Sequence, residues 1–159
     1  MFSSANEQFI SGFDDYLLQL AVALAMFVIG LVAYVLLTPH KELALIRDGN
    51  PSAAVAFGGV VIGIAIPLGA CLAHSFDVMD LLIWGVVTLL IQLIAFRVTD
   101  MFLHGLPRRI AEGDVAAALM VMSVKIGVAL ILAGAVSDPS LNMFRAATLY
   151  DAMHALALG

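Results

Sequence analysis

The chain has 159 residues, of which 63% are hydrophobic and 12% charged, with a formal net charge of −5. Soluble domains run nearer half apolar and a quarter charged, so this composition leaves too little polar surface for a water-soluble fold. The small, dispersed charge excludes a phosphate-neutralising stripe and with it nucleic-acid binding, and the lone Cys71 excludes a disulfide framework or thiolate metal site.

The chain opens with an acidic N-terminal tail carrying Glu7, Asp14 and Asp15. No Lys or Arg precedes Lys41, so the apolar run that follows, Leu17–Leu37, lacks the basic leader of a cleaved signal peptide and is read as a first membrane span. A hydrocarbon core of about 30 Å takes roughly 20 helical residues, and helices are expected because lipid offers no partner for free backbone groups. The loop TPHKELALIRDGNPSAA then leaves the span at Pro39, makes a short helical turn and breaks at Gly49. Asn50 is placed to cap the next helix, with Pro51 at its first turn.

The second span is Ala53–Ala73, interrupted by Pro67, which predicts a kink. The turn HSFDVMD is short and acidic, and the third span, Leu81–Val98, carries Trp84 near one interface and Arg97 at the other. The loop LPRRIAEGDVAAA repeats the earlier punctuation, with Gly113 as the break and Asp114 as the cap, and leads into the fourth span, Val115–Val136. Residues 137–159 are long enough for a fifth crossing, but Arg145 and Asp151 would each cost about 2.5–3.5 kcal/mol near its centre. A helix lying on the outer surface is expected instead. Lys41, Arg47, Arg97, Arg108 and Arg109 fall on one side and only Arg145 on the other, which puts both longer loops in the cytoplasm and both termini outside.

An offset of 64 residues pairs His40 with His104, Ile46 with Ile110 and Gly49 with Gly113. It also pairs Ala53, Ala54, Ile62, Gly63, Ala65 and Leu68 with Ala117, Ala118, Ile126, Gly127, Ala129 and Leu132. The offset covers two crossings, so the halves run in the same direction. The expected architecture is an all-α membrane protein: four transmembrane helices form a domain over residues 1–136 as two parallel two-helix repeats, 17–73 and 81–136, and residues 137–159 add an outer-surface helix. Gly59-x3-Gly63 in span two corresponds to Ser123-x3-Gly127 in span four. These small-residue seams are expected to bring spans two and four together, inside the monomer or between copies.

The segment TPHKELALIRDGNPSAAVAFGGVVIGIAIPLG, followed by WGVVTLLIQLIAF, resembles the YjfL-like family of small bacterial inner-membrane proteins, the domain of unknown function numbered 350. The resemblance covers about residues 16–136 and rests on Thr38-Pro39-His40 with Glu42, Asn50 to Phe57, Ile66-Pro67-Leu68 and Trp84-Gly85. It implies two tandem two-helix units in the bacterial inner membrane and brings no reaction, substrate or cofactor. As a hint about partners, some members of the family are thought to accompany envelope-stress proteins.

The candidate sites are few. Lys125 sits about ten residues from either end of span four, roughly 15 Å deep, where an ionisable residue is a functional candidate by default. Antiparallel neighbours would set Gln92 opposite it and Thr88 one turn on, forming a midplane polar site Lys125–Gln92–Thr88; a lysine tolerated for packing is the plainer reading. Lys125 lies about 200° from Ser123, turned away from the small-residue seam. His40 and His104 form an equivalent pair at the cytoplasmic ends, more suited to headgroups and loop carbonyls than to metal, since two ligands make a poor site. Lys41, Arg47, Arg108 and Arg109 make a basic rim for anionic lipid or an acidic partner. No nucleophile elbow, phosphate-cradling loop, HExxH or paired catalytic carboxylates occur, so neither an enzyme nor a bound cofactor is expected. The expected role is a self-associating subunit or partner in an envelope membrane complex. The alternative is an oligomeric channel or transporter for a small ion or solute, with the Lys125 face lining its axis.

Overall fold

The computed structural model describes residues 2–38, 42–103 and 105–138, together with residues 140, 143, 147 and 150. Among the described residues six helices run in chain order: α1 (Phe2–Leu37), α2 (Glu42–Arg47), α3 (Pro51–His74), α4 (Val78–Phe102), α5 (Leu106–Ala111) and α6 (Val115–Val136). There are no strands among the described residues. Four of the helices are long and apolar enough to cross a membrane, over Phe13–Leu37, Pro51–His74, Val78–Phe102 and Val115–Val136. Most of the outer-surface helix expected over residues 137–159 lies outside the described residues.

Two boundaries differ from the sequence reading in ways that matter. The acidic segment expected as a tail is helical from Phe2. The third span, expected over Leu81–Val98, is helical from Val78 to Phe102 and therefore carries both Asp80 and Asp100. Asp77 starts it: its side chain accepts from the Asp80 N–H at 2.7 Å, and the Asp80 carboxylate in turn accepts from the Phe76 N–H at 3.1 Å. This pair of carboxylates fixes the helix N-terminus one turn earlier than the apolar run suggests.

The two helix–loop–helix corners are built alike. Gly49 takes φ +83° and Gly113 φ +94°, a region that favours glycine. The N–H groups of Gly49 and Asn50 donate to Ile46 and Leu45; those of Gly113 and Asp114 donate to Ile110 and Arg109. This is the Schellman closure of a helix C-terminus. Asn50 then accepts from the Ala53 N–H, and Asp114 from the N–H groups of Ala116 and Ala117. At the offset of 64 residues, α2 coincides with α5, and the starts of α3 and α6 coincide. Asn50 also has a task of its own: its amide donates to the carbonyls of Ile110 and Ala111, each at 3.1 Å, tying the two corners together.

Among these elements α3 is central, touching every other helix and packing most extensively on α6. Gly59 and Gly63 make that possible. A Cβ at Gly59 would come within 2.7 Å of the Met122 backbone, and one at Gly63 within 2.6 Å of the Phe96 ring. The expected partner seam on α6 is not the one used within the chain. Ser123 is exposed, with its hydroxyl donating back to the Leu119 carbonyl, and Gly127 has open space around it. The α6 row turned inward is Ala117, Val121, Lys125 and Ala129, all buried and spaced four apart. This row wins because it sets small and medium side chains plus the one charged residue against α3 and α4, leaving Ser123 and Gly127 on the outside.

A Gly59→Ala variant should therefore cost about 1–3 kcal/mol by forcing α3 and α6 apart. Gly127→Ala should be neutral or slightly stabilising. Reversible unfolding in detergent micelles compares the two.

Candidate functional site

Lys125 is 1% exposed and is held by groups from two other helices, α1 and α4. Its Nζ donates to the Tyr34 hydroxyl on α1 at 2.9 Å and lies 3.1 Å from Oδ1 of Asp100 on α4. The Tyr34 hydroxyl donates onward to Oε1 of Glu42 on α2 at 3.2 Å. The ammonium also sits 4.9 Å from the Tyr34 ring centroid and 5.4 Å from that of Phe96, inside the roughly 6 Å range of a cation–π contact. The two rings meet edge-on, 6.0 Å apart at 89°. A carboxylate, a phenol and two aromatic faces thus satisfy the lysine inside one chain.

Helix geometry explains the partners. Side chains tilt toward the N-terminus of their helix, so the Lys125 stem leans toward Val115. The start of α6 is at the end of the bundle where α1 and α4 finish. Tyr34 stands three residues before the end of α1, and Asp100 two before the end of α4. The charge therefore resides well away from the depth of the lysine backbone.

The expected pairing with Gln92 is not formed. Gln92 is two helical turns from Asp100, deeper in the bundle, fully buried, with neither its amide nitrogen nor its oxygen hydrogen-bonded to any described residue. Thr88, one turn farther, is buried too. The polar residues expected at mid-depth are thus inside the bundle, but the ammonium has leaned past them. An unsatisfied buried amide costs about 1–3 kcal/mol, so its presence in the core calls for a reason.

Tyr34, Asp100 and Glu42 are the residues that sequence reasoning missed as a site. Asp100 falls beyond Val98, where the expected third span ends, and Tyr34 lies inside the first apolar run with no motif to mark it. The available signal was the direction of the lysine stem, which points to acidic residues near the ends of α1 and α4. Glu42 stood within the family-like segment without a role.

A crevice of about 20 Å³ borders the cluster, lined by Glu42 and Asp100 with the apolar side chains of Leu45, Leu103, Ile110 and Val121. That is room for about one water. Asp100, 15% exposed, is the member of the ion pair that meets the outside.

The family model described as Domain of Unknown Function (DUF350) matches residues 8–136. The chain belongs to the DUF350 family. It is 33% identical over 98 residues to the UPF0719 inner membrane protein YjfL of Escherichia coli (strain K12), a stretch covering 62% of this chain and 74% of that protein. The same figures hold for the protein of that name from Escherichia coli O157:H7. No solved structure matches.

In this DUF350 chain, His40, His104 and Lys41 lie outside the described residues. The rest of the expected rim is exposed: Arg47 on α2, and Arg108 and Arg109 on α5. Arg108 pairs with Glu112 at 2.9 Å and Arg109 with Asp114 through its Nε at 2.9 Å, so much of the rim charge is answered locally. Exposed pairs of this kind contribute little to stability. Among the described residues no cluster of three or more His, Cys, Asp or Glu could hold a metal ion.

The cap Asp114 has its carboxyl held below the ordinary carboxylate range, first by the Ala117 N–H and then by Arg109. A depressed folded-state value means that its stabilising contribution is complete above the unfolded value and lost as pH falls through the folded one. The Ala116 and Ala117 amides should therefore lose hydrogen-exchange protection on acidification below about pH 4. In Asp114→Asn, which copies the cap of the other corner, that acid step should vanish.

The ion pair makes a second prediction. Asp100→Leu alone should cost about 3 kcal/mol or more, because it leaves a buried ammonium without its counter-charge. Asp100→Leu combined with Lys125→Met should recover most of that loss. A double-mutant cycle of unfolding free energies in micelles measures the coupling.

Proposed function

We propose that this protein is a non-enzymatic, multi-pass inner-membrane protein that self-associates or serves as a subunit or partner in an envelope complex. The enclosure of Lys125 carries the reading. The residue expected to line the axis of an oligomeric channel is turned into its own bundle, so a pore between copies would have no charged side chain at mid-depth to line it. What the chain presents outward is apolar along its spans, with Ile29, Val32 and Leu36 on α1 and Leu90 and Ile94 on α4, bordered at one end by exposed arginines. That combination suits lipid and neighbouring helices.

Membership of the DUF350 family and the inner-membrane relatives support the location. The two like corners, 64 residues apart, support an origin as two tandem two-helix units. Both corners face the cytoplasm and both termini the periplasm in this reading, by the excess of basic residues at that end. Envelope-stress proteins are the class of partner to look for first.

Co-purification from crosslinked cells tests the role. A defined second protein, or a second copy, should be recovered and should be lost when Arg108 and Arg109 are both changed to Gln. A chain that is monomeric and partner-free in native membranes would overturn the reading. Cysteines placed at Asp48 and Glu112 should react with an impermeant reagent only after the cells are opened.

A further inference from the structure

Arg97 stands on α4 inside the span Val78–Phe102, five residues before the helix ends and so about 7.5 Å short of that end along the axis. Its side chain is exposed, and its neighbours on the same helix face, Leu90, Ile94 and Met101, are exposed apolar ones. Phe102, nearer the end of the helix, is exposed as well. A side chain leaves its helix tilted toward the N-terminus, which for α4 is the far end of the bundle. The Arg97 stem therefore starts out toward greater depth, and its guanidinium sits at the edge of the hydrocarbon, where a counter-charge must come from close by.

No described residue supplies it. Arg108 pairs with Glu112 and Arg109 with Asp114, whereas the Arg97 guanidinium forms no ion pair or hydrogen bond among the described residues. Beside it is a cleft of about 320 Å³, lined among the described residues by Arg97, Val98, Asp100 and Met101. That is the size of a small-ligand site, too large for a bare ion. Asp100 gives the cleft its second charge. Three residues on from Arg97, it is a neighbour on the helix surface, about 4.5 Å farther along the axis. Its Oδ1 is engaged by Lys125 at 3.1 Å, but the side chain is 15% exposed, which leaves Oδ2 as the acceptor for whatever occupies the cleft.

We infer that this cleft binds the headgroup of a zwitterionic phospholipid that carries a primary amine. The phosphate sits on the Arg97 guanidinium, the ammonium on Asp100, and the acyl chains lie along Leu90 and Ile94. A guanidinium holds two phosphate oxygens at once in a fork. A primary ammonium brings N–H donors to the carboxylate; a quaternary ammonium brings none, and a glycerol headgroup brings no positive charge. Asp100 is thus shared by two cations, the lysine from inside the bundle and the lipid amine from outside. The lipid docks on the residue that holds α6 in place. The inference concerns lipid and does not depend on the partner role.

Native mass spectrometry of the purified chain, delipidated in detergent and then titrated with defined lipids, reads the site. One phosphatidylethanolamine per chain should be retained, several-fold more tightly than phosphatidylcholine or phosphatidylglycerol with the same acyl chains. Arg97→Gln changes an exposed side chain and should fold like the parent. It should lower phosphatidylethanolamine retention to the phosphatidylcholine level, while Arg108→Gln, on the rim, should leave it unchanged. Asp100→Leu combined with Lys125→Met removes both buried charges together and strands neither. That double variant should still bind phosphate but lose the preference for the ethanolamine over the glycerol headgroup. Equal retention of the three lipids overturns the inference, and so does unchanged phosphatidylethanolamine binding by Arg97→Gln. A preference for phosphatidylglycerol in the parent would reduce the cleft to part of a general basic rim and overturn it too.

Discussion

The fold turns on one ammonium that has to be neutralised inside a membrane. Lys125 is the only charged residue in α6, and lipid gives it nothing to bind. Its needs dictate which faces of three helices meet: α1 must present Tyr34, α4 must present Asp100, and α6 must turn the lysine row inward. Gly63 completes the arrangement by letting the Phe96 ring come close beneath the charge. A buried ion pair contributes little net stability compared with apolar packing of the same volume. What it does supply is discrimination, since a rotation of α6 by half a turn would strand the charge in lipid.

The short helices α2 and α5 do a different job. Each follows a span and closes on a glycine in the left-handed region before a capped helix begins. The Asn50 amide reaching the carbonyls of Ile110 and Ala111 links the end of α5 to the start of α3. This bond belongs to one half only, because the matching cap, Asp114, has no amide donor and takes Arg109 instead. Likeness of backbone and unlikeness of side chains therefore coexist at the same two corners.

Much of this was legible in the residues. Apolar run length located all four spanning helices, and Gly–Asn–Pro and Gly–Asp located both caps, because chain punctuation of this kind is set by local stereochemistry. The pairing of α3 with α6 was legible in Gly59 and Gly63 for the same reason. What could not be read was rotation about the helix axis. Small residues at Ser123 and Gly127 looked like a contact face, yet only the competing demand of Lys125, satisfied by residues on α1 and α4, decides which side of α6 faces in. The ends of the third span were misjudged because hydropathy trims charged residues from a helix, and Asp80 and Asp100 are charged residues that the helix keeps.

Neither Lys125 nor Asp100, Tyr34 or Glu42 has a polar counterpart 64 positions away. Val61 answers to Lys125, Leu36 to Asp100, Val98 to Tyr34 and Leu106 to Glu42. The consequence is an order of assembly during synthesis. A lysine entering the bilayer on a lone helix would meet a penalty of about 2.5–3.5 kcal/mol. Its counter-charge, however, is on the span made immediately before it, joined by a loop short enough for the two to leave the translocon as one hairpin. Tyr34, already in place on the first hairpin, then receives a pair that is neutral on arrival.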